Sequence, residues 1–503
     1  MKIQPQLIVW HRVFGLVSCL FFSMWFLSAF VMMYARMPEI TARERMERLP
    51  PLDTSRVRIT PAQAAERAGV RQPGGLVLSS LFGRPVYRIL NRGSIAATVF
   101  ADDGRSELDF AWPEAAASIR PYLPSSSTGW RLLQVLNEPD QWTLSGEIQA
   151  LDPLYKVAID DGHGTVLYIS GTTGDVVLKT TARTRALAWA GAIPHWIYLR
   201  AIRKHAEGWR QLVIWIAAAG CVTSILGIVL GLVRFSPSKR YRVAGVSASA
   251  SPYQGAKRWH HWAGLIFGVF TFTWVLSGML SLDPFPVSPT DPADKQIAYF
   301  RGGNLVASAF QFKPTQISQT LVSSLIVKEI TFSQVDGKPF YEAAETTGNS
   351  VFLNDRGELA QPFPASFLVD AARRAVPNGR IVDSSQLPGY DSYYYDRDRL
   401  SPLPVLRVRF DDPAATWLYI DPVRGVLMAR FDRSARFDRW VYHGLHSLDF
   451  PFLWPYRPWW DLVVIVLCTG GLVVSVSGVV IGYQRLRSYV TSKGQGSRVH
   501  FLH

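Results

Sequence analysis

The fold class the sequence predicts is an α-helical membrane protein with four transmembrane helices in two parallel repeats, plus two external α+β domains. Three observations carry this. Four long apolar runs carry no charge, the acidic residues occupy only certain stretches, and the chain matches itself at a nearly constant spacing.

The apolar runs are Val13–Tyr34, Gln211–Val233, Trp262–Leu282 and Leu462–Tyr483. Each reaches the roughly 20 residues that a helix needs to cross the hydrocarbon of a bilayer. The first is too long for the apolar core of a signal peptide and is followed by no small-residue cleavage pattern, so it reads as an uncleaved anchor. Every Asp and Glu lies between Glu39 and Asp461, and none falls between Trp209 and Leu282. The N-terminal start, the loop from Arg234 to Arg258 and the tail after Tyr483 are therefore purely basic, as cytoplasmic segments of membrane proteins are. The net charge of +14 is thus a matter of topology, and nucleic acid is excluded as a partner in favour of the lipid bilayer. Cys19, Cys221 and Cys468 all lie inside the apolar runs without CxxC spacing, which excludes disulfide frameworks, iron–sulfur clusters and thiolate zinc sites.

In order, the expected layout is a membrane helix in 1–35, an external domain over 36–185, an interfacial aromatic and histidine segment over 186–210 and a second membrane helix over 211–234. A cytoplasmic loop over 235–258, a third helix over 259–282, a second external domain over 283–435, a second interfacial segment over 436–460, a fourth helix over 461–483 and a cytoplasmic tail over 484–503 complete it. Within the first external domain, Thr60 followed by Pro61 reads as a helix N-cap and first turn. Tyr155–Asp160 and Thr165–Ser170 alternate as strands around Asp161-Gly162-His163-Gly164, a hairpin signal. In the second, Tyr393-Tyr394-Tyr395 before Pro402-Leu403-Pro404 reads as a strand edge.

The self-match sets the organisation. WHRVFGL at Trp10 aligns with WHHWAGL at Trp259, placing His11 on His260, Gly15 on Gly264, Trp25 on Trp274 and Ser28 on Ser277 at a spacing of 249. Further on, PLYKVAIDD aligns with PVLRVRFDD, His195 with His446, Trp209 with Trp460, and Ser224, Gly227 and Gly231 with Ser475, Gly478 and Gly482, all at a spacing of 251. Each copy reads as helix in, external domain, aromatic-histidine segment, helix out, and both copies cross in the same direction.

Four of the ten histidines fall in two matched pairs, His11 with His260 at the cytoplasmic ends and His195 with His446 on the outer side. Single histidines at a membrane rim are commonly anchors. Two symmetric pairs suit b-type haem, whose iron takes two imidazoles when its task is electron transfer. Gly15 and Gly264, four residues after their histidines, leave room for a flat macrocycle beside the backbone. His443 falls on Ala192 and stands three residues before His446, which makes it a further ligand candidate. His261 falls on Arg12, His205 reads as interfacial, and His163, His500 and His503 read as solvated. A zinc or copper transporter would want ionisable ligands at mid-helix, and the apolar runs carry none there.

The chain resembles the PepSY-associated transmembrane family of bacterial inner membranes. The resemblance rests on WHRVFGL and WHHWAGL, on LYISGTTGDVV and LYIDPVRGVLM, and above all on YHGLHSLDFPF before the last apolar run. It implies PepSY-like periplasmic domains, both termini in the cytoplasm, and two haems b held at positions matching His11, His195, His260 and His446, with His443 also in a family motif. It further implies a ferric-siderophore reductase that passes electrons outward to a siderophore or other iron chelate in the periplasm. Some members carry a fused flavin reductase module. No Gly-rich dinucleotide fingerprint occurs here, so the expected donor is separate: reduced flavin, quinol or a cytoplasmic reductase. The sequence names no catalytic residue. Two other readings stand beside this one, a PepSY-based binding or regulatory protein for a periplasmic peptidase or other partner, and an iron-chelate permease component.

Overall fold

The computed structural model describes residues 5–494 except 92, 126, 128, 244–245, 286–292, 312 and 322–324. His500 and His503 lie outside the described residues. The chain divides into a helical unit, formed by Met1–Met37, Thr184–Pro286 and Phe437–His503, and a sheet-bearing unit, formed by Pro38–Arg183 and Val287–Arg436.

The sheet-bearing unit takes most of its strands as two similar sets. The first set is β1 (Gly75–Leu81), β2 (Arg84–Asn91), β3 (Ser94–Phe100) and β4 (Ser106–Glu107), then β5 (Trp130–Leu136), β6 (Leu154–Ile159), β7 (Val166–Ser170) and β8 (Val176–Thr180). After a hairpin of β9 (Ser236–Val243) and β10 (Val246–Ala250), which belongs to the helical unit, come β11 (Glu329–Val335), β12 (Lys338–Thr346) and β13 (Asn349–Leu353). They are followed by β14 (Ile381–Leu387), β15 (Val405–Phe410), β16 (Trp417–Asp421) and β17 (Val426–Phe431). The strand pair expected around Asp161 is β6 and β7. Thr60 caps the helix Pro61–Arg67 with a reciprocal Gln63 contact, as its sequence signature requires.

β5 to β8 and β14 to β17 form two four-stranded meanders. The remaining strands make one seven-stranded sheet, in the order β13-β12-β11-β1-β2-β3-β4. Its centre is the antiparallel join of β1 with β11, where Val77 opposes Thr331 while Leu76 opposes Phe332 and Leu78 opposes Ile330. All four flanking side chains are buried in one core that draws on both chain segments. The segments 36–185 and 283–435, expected as separate domains, thus share a sheet and a core. Sequence periodicity reports that a strand has a buried face and is silent on which strand lies at its edge.

Equivalent residues do equivalent work in the two meanders. Asp140 accepts from Tyr168 Oη at 2.8 Å and from Lys156 Nζ at 2.7 Å. Asp391 accepts from Tyr419 Oη at 2.8 Å and from Arg407 Nη1 at 3.2 Å. Burial and the neighbouring Asp391 push the Tyr419 hydroxyl well above its ordinary pKa. Tyr393 and Tyr394 lie in a bend outside any strand, with Tyr394 stacked on Tyr419 at 5.3 Å and donating to Pro402 O.

Each meander is latched to the large sheet by an arginine, from opposite sides. Arg88 on β2 donates to Thr98 Oγ1 and Thr173 O, both at 2.6 Å, and to Asp175 at 2.8 Å. In the other set Arg424, just after β16, donates to Glu342 on β12, to Asp421 and to Ser350, each at 2.8 Å.

Among the described residues, four helices are long and apolar enough to cross a membrane. They are α1 (Pro5–Met32), α3 (Ala206–Arg234), α4 (Gly255–Leu280) and α5 (Trp459–Gly494), with the short α2 (Ala192–Trp196) before α3. All four begin before the expected apolar run, because hydropathy marks the lipid-crossing part and not where hydrogen bonding stops. Val13, Val17, Leu20, Trp215, Ile266 and Val466 are exposed on the outside of the bundle. Ser18, Ser28, Thr223, Thr271, Ser277 and Ser475 are buried within it. Small hydroxyl residues inside and large apolar ones outside are what lipid solvation selects, since close helix approach rather than water exclusion holds such bundles together.

Removing the buried guanidinium of Arg88 leaves Thr98 and the Thr173 carbonyl without their charged donor. Arg88→Ala is expected to destabilise the sheet-bearing unit by about 2–3 kcal/mol, and Glu342→Ala, which removes a more exposed partner, by about 1 kcal/mol. Calorimetry of the full chain in detergent checks both values and their order.

Candidate functional site: two facing histidine pairs

The first half of the chain supplies one histidine to each end of the bundle, and the second half supplies its partner. His11 on α1 faces His260 on α4 with ring centres 6.2 Å apart, and His195 on α2 faces His446 with ring centres 6.1 Å apart. His446 closes a π-helical stretch, Arg439–His446.

Each imidazole is fixed by its Nδ1. His11 Nδ1 meets Thr223 O at 3.2 Å, and His260 Nδ1 meets Val474 O at 2.9 Å. His195 Nδ1 meets Ser28 Oγ at 3.0 Å and Trp25 O at 3.3 Å, while His446 Nδ1 meets Ser277 Oγ and Trp274 O, both at 3.1 Å. A backbone carbonyl can only accept. Nδ1 therefore carries the proton in every neutral ring, and the lone pair of Nε2 is left to bind something else. This is how imidazoles that ligate metals are oriented.

The helices are shaped for these contacts. In three of the four cases the residue four after the accepting carbonyl is glycine: Gly227 after Thr223, Gly278 after Trp274 and Gly478 after Val474. In the fourth, after Trp25, it is Ala29. A Cβ at Gly227 would stand 2.9 Å from His11 Cε1, at Gly278 3.3 Å from His446 Cε1, and at Gly478 3.4 Å from His260 Cε1. The missing side chain is what lets an imidazole reach a carbonyl already engaged in its own helix. Gly264, expected to leave room beside His260, opens on space, with nothing within 4 Å of its Cβ position.

Both outer histidines precede by two residues a non-glycine residue held in the left-handed region, Ile197 and Leu448, each at φ 52°. Such a conformation costs of the order of 1–2 kcal/mol. It turns the chain sharply after the histidine, and both apolar side chains are buried there.

The spacing of each pair fits a shared ion. A ligating nitrogen lies about 2.0–2.1 Å from its metal and about 1.1 Å from the centre of its own ring, so two imidazoles sharing one ion would have centres at most about 6.3 Å apart. Among the described residues no cluster of three or more His, Cys, Asp or Glu side chains forms a metal site. The donor set at each end is thus two neutral imidazoles. It suits a metal whose other positions are filled by a macrocycle, and suits poorly a bare divalent ion.

No protein-family model matches the chain, and no curated protein matches it.

Along α1 the two pairs are separated by the 14 to 17 residues between His11 and the Trp25–Ser28 contacts, roughly 21–26 Å of helix rise. Aromatic rings fill the bundle between them. Phe26 lies against Gly471, Phe267 against Gly470 and Phe22 against Gly220, and Phe26 meets Trp274 at 5.9 Å.

The other histidines part company with these four. His261 is buried with both ring nitrogens engaged, Nδ1 with Ser251 Oγ at 2.9 Å and Nε2 with Gly231 O at 3.0 Å, so it docks the loop before α4 and has no nitrogen to offer. His205 is exposed at the start of α3, and His163 sits in the β6–β7 turn. His443, a ligand candidate in the sequence, is not brought to either pair; its side chain is half exposed, beside Asp449. The register located the four histidines, and it also marked Ser28 and Ser277 as equivalent. It also matched Trp25 with Trp274 and Gly227 with Gly478, but not their role as carbonyl acceptors and as the glycines that expose acceptors, although glycine four residues after a carbonyl is a signal the sequence carries.

Proposed function

We propose that the chain is a di-haem membrane oxidoreductase, holding one haem b between His11 and His260 and a second between His195 and His446. The observation that carries this reading is the pair of facing imidazole sets, each with Nδ1 committed to a helix carbonyl and ring centres 6.1–6.2 Å apart. Bound there, each haem supplies a one-electron centre that cycles between ferric and ferrous iron.

The chain's own residues do the rest. Thr223, Val474, Trp25 and Trp274 fix the tautomer and rotation of each ring through their carbonyls. Phe22, Phe26 and Phe267, seated on glycines, close the interior to water and solutes, while electrons need only a packed path. Within the four expected apolar runs no Asp, Glu, Lys, Arg or His offers an ion a stepping stone, which favours electron carriage over chelate passage. The all-basic segments support an orientation in a bacterial cytoplasmic membrane with His11 and His260 on the cytoplasmic side, both termini inside and the sheet-bearing unit in the periplasm. The matched contacts at spacings of 249 and 251 support descent from two parallel repeats. On the family resemblance, the acceptor is a ferric siderophore or similar iron chelate and the donor is reduced flavin, quinol or a separate reductase.

Protein purified from haem-sufficient cells is expected to give a b-type pyridine haemochrome with about two haems per chain. Colourless protein defeats the proposal. His260→Ala is expected to remove the inner haem and leave the outer, halving the ratio, and His446→Ala the reverse. Gly227→Val, which drives a side chain into His11, is expected to match the inner loss while leaving His195 and His446 loaded. Haem-to-protein ratio and the potentials of the remaining centre read out each case.

A further inference from the structure

The two halves differ in charge beside the outer pair. In the register that sets His446 on His195, Arg439 stands where the first half has Ala188, Tyr442 where it has Gly191, His443 where it has Ala192, and Asp449 where it has Tyr198. Each half provides one imidazole of the pair, and Arg439, His443 and Asp449 of the second half have neither a charged side chain nor an imidazole at the matching positions of the first.

These groups form one held constellation. Arg439 is buried and donates from Nη2 to Asp449 O at 2.6 Å. Asp449 N donates to His443 O at 2.9 Å, closing a turn that sets the Asp449 side chain beside the His443 ring. Asp449 Oδ2 lies 4.0 Å from His443 Nδ1; the carboxylate-bearing side chain is 4 % exposed and the imidazole side chain 51 %. Tyr442 contacts the His443 ring at 5.2 Å and stacks on His446 at 5.4 Å, so a single side chain separates His443 from the outer pair. At 4.0 Å the buried carboxylate faces Nδ1 just beyond direct hydrogen-bond distance, on the side from which a carboxylate orients an imidazole whose Nε2 takes a metal. One such ligand is too few to retain an ion, and no third donor joins it among the described residues.

We propose that His443, backed by Asp449, is an exchangeable ligand that takes iron from its chelate as the iron becomes ferrous. The inference rests on the reductase reading above and adds to it a named contact for the reacting metal. One electron delivered at the outer pair, drawn from the cytoplasmic donor, converts chelated Fe(III) to Fe(II). An iron–oxygen bond to the chelate then breaks with its electron pair remaining on oxygen, water protonates that oxygen, and the Nε2 lone pair of His443 forms a bond to Fe(II). Imidazole suits ferrous iron, whereas the oxygen donors of the chelate favour the ferric state, so the exchange runs in the direction of reduction.

The test compares two acceptors on full-length, haem-loaded protein reduced with dithionite. Ferric nitrilotriacetate can exchange a ligand, while ferricyanide keeps its six cyanides in both oxidation states and needs no such contact. His443→Ala and His443→Gln are expected to lower the second-order rate with ferric nitrilotriacetate by about ten-fold and leave ferricyanide reduction unchanged, with a smaller loss for Asp449→Asn. Zn(II), a redox-inert ion that accepts imidazole, is expected to inhibit the chelate reaction of the unsubstituted protein and to spare His443→Ala. Equal chelate rates with and without His443, a parallel fall with both acceptors, or equal Zn(II) inhibition overturns the assignment of His443 alone. Reduction of neither acceptor by the unsubstituted protein overturns the reductase reading, and the assignment with it.

Discussion

The structure of the helical unit depends on one hydrogen bond made four times, from an imidazole Nδ1–H to a carbonyl of a neighbouring helix. Inside a bilayer a polar ring with an unsatisfied nitrogen is costly, and water is not there to help. A carbonyl inside a helix already accepts one bond and has a second lone pair, which can be reached only where the residue one turn later carries little side chain. Gly227, Gly278, Gly478 and Ala29 supply that opening. The histidines, the glycines and the helix contacts are thus parts of one constraint. Once it is met, four imidazoles are left in one tautomer with Nε2 available, in pairs at the two ends of the bundle.

The midplane follows from the same economy of space. Because Gly220, Gly470 and Gly471 carry no side chain, Phe22, Phe267 and Phe26 can pack closely against helix backbones. Several hydroxyls also bond back onto their own helices, as Ser28 does on Met24 O and Ser475 on Gly471 O.

Much of this was legible in the sequence. Charge-free runs gave the four helices, and turn chemistry gave the β6–β7 hairpin and the cap at Thr60. Register singled out the four histidines, because a matched pair weighs more than a lone imidazole. It could not say which histidine faces which, since equivalence between copies leaves pairing within a half and pairing between halves equally allowed. It also could not foresee that β1 and β11 join. Val77 and Thr331 each look like the middle of a half-buried strand, and nothing in either stretch names its neighbour. His443 misled for a local reason. Three residues put it close to His446 along the chain, yet the turn closed by Asp449 and Arg439 directs it outward.

The join of β1 with β11 reaches beyond architecture. Residues that meet across it are separated by more than 250 positions, and each histidine pair likewise draws one member from each half. A ribosome that has finished the first half has therefore made an open strand edge and two single imidazoles, with neither the sheet nor either pair complete. Maturation waits for the later strands and the last two membrane helices. The two halves are not modules that fold in turn. Each completes the other's sheet and histidine pairs, so the order of synthesis and the order of assembly are separated by about half the length of the chain.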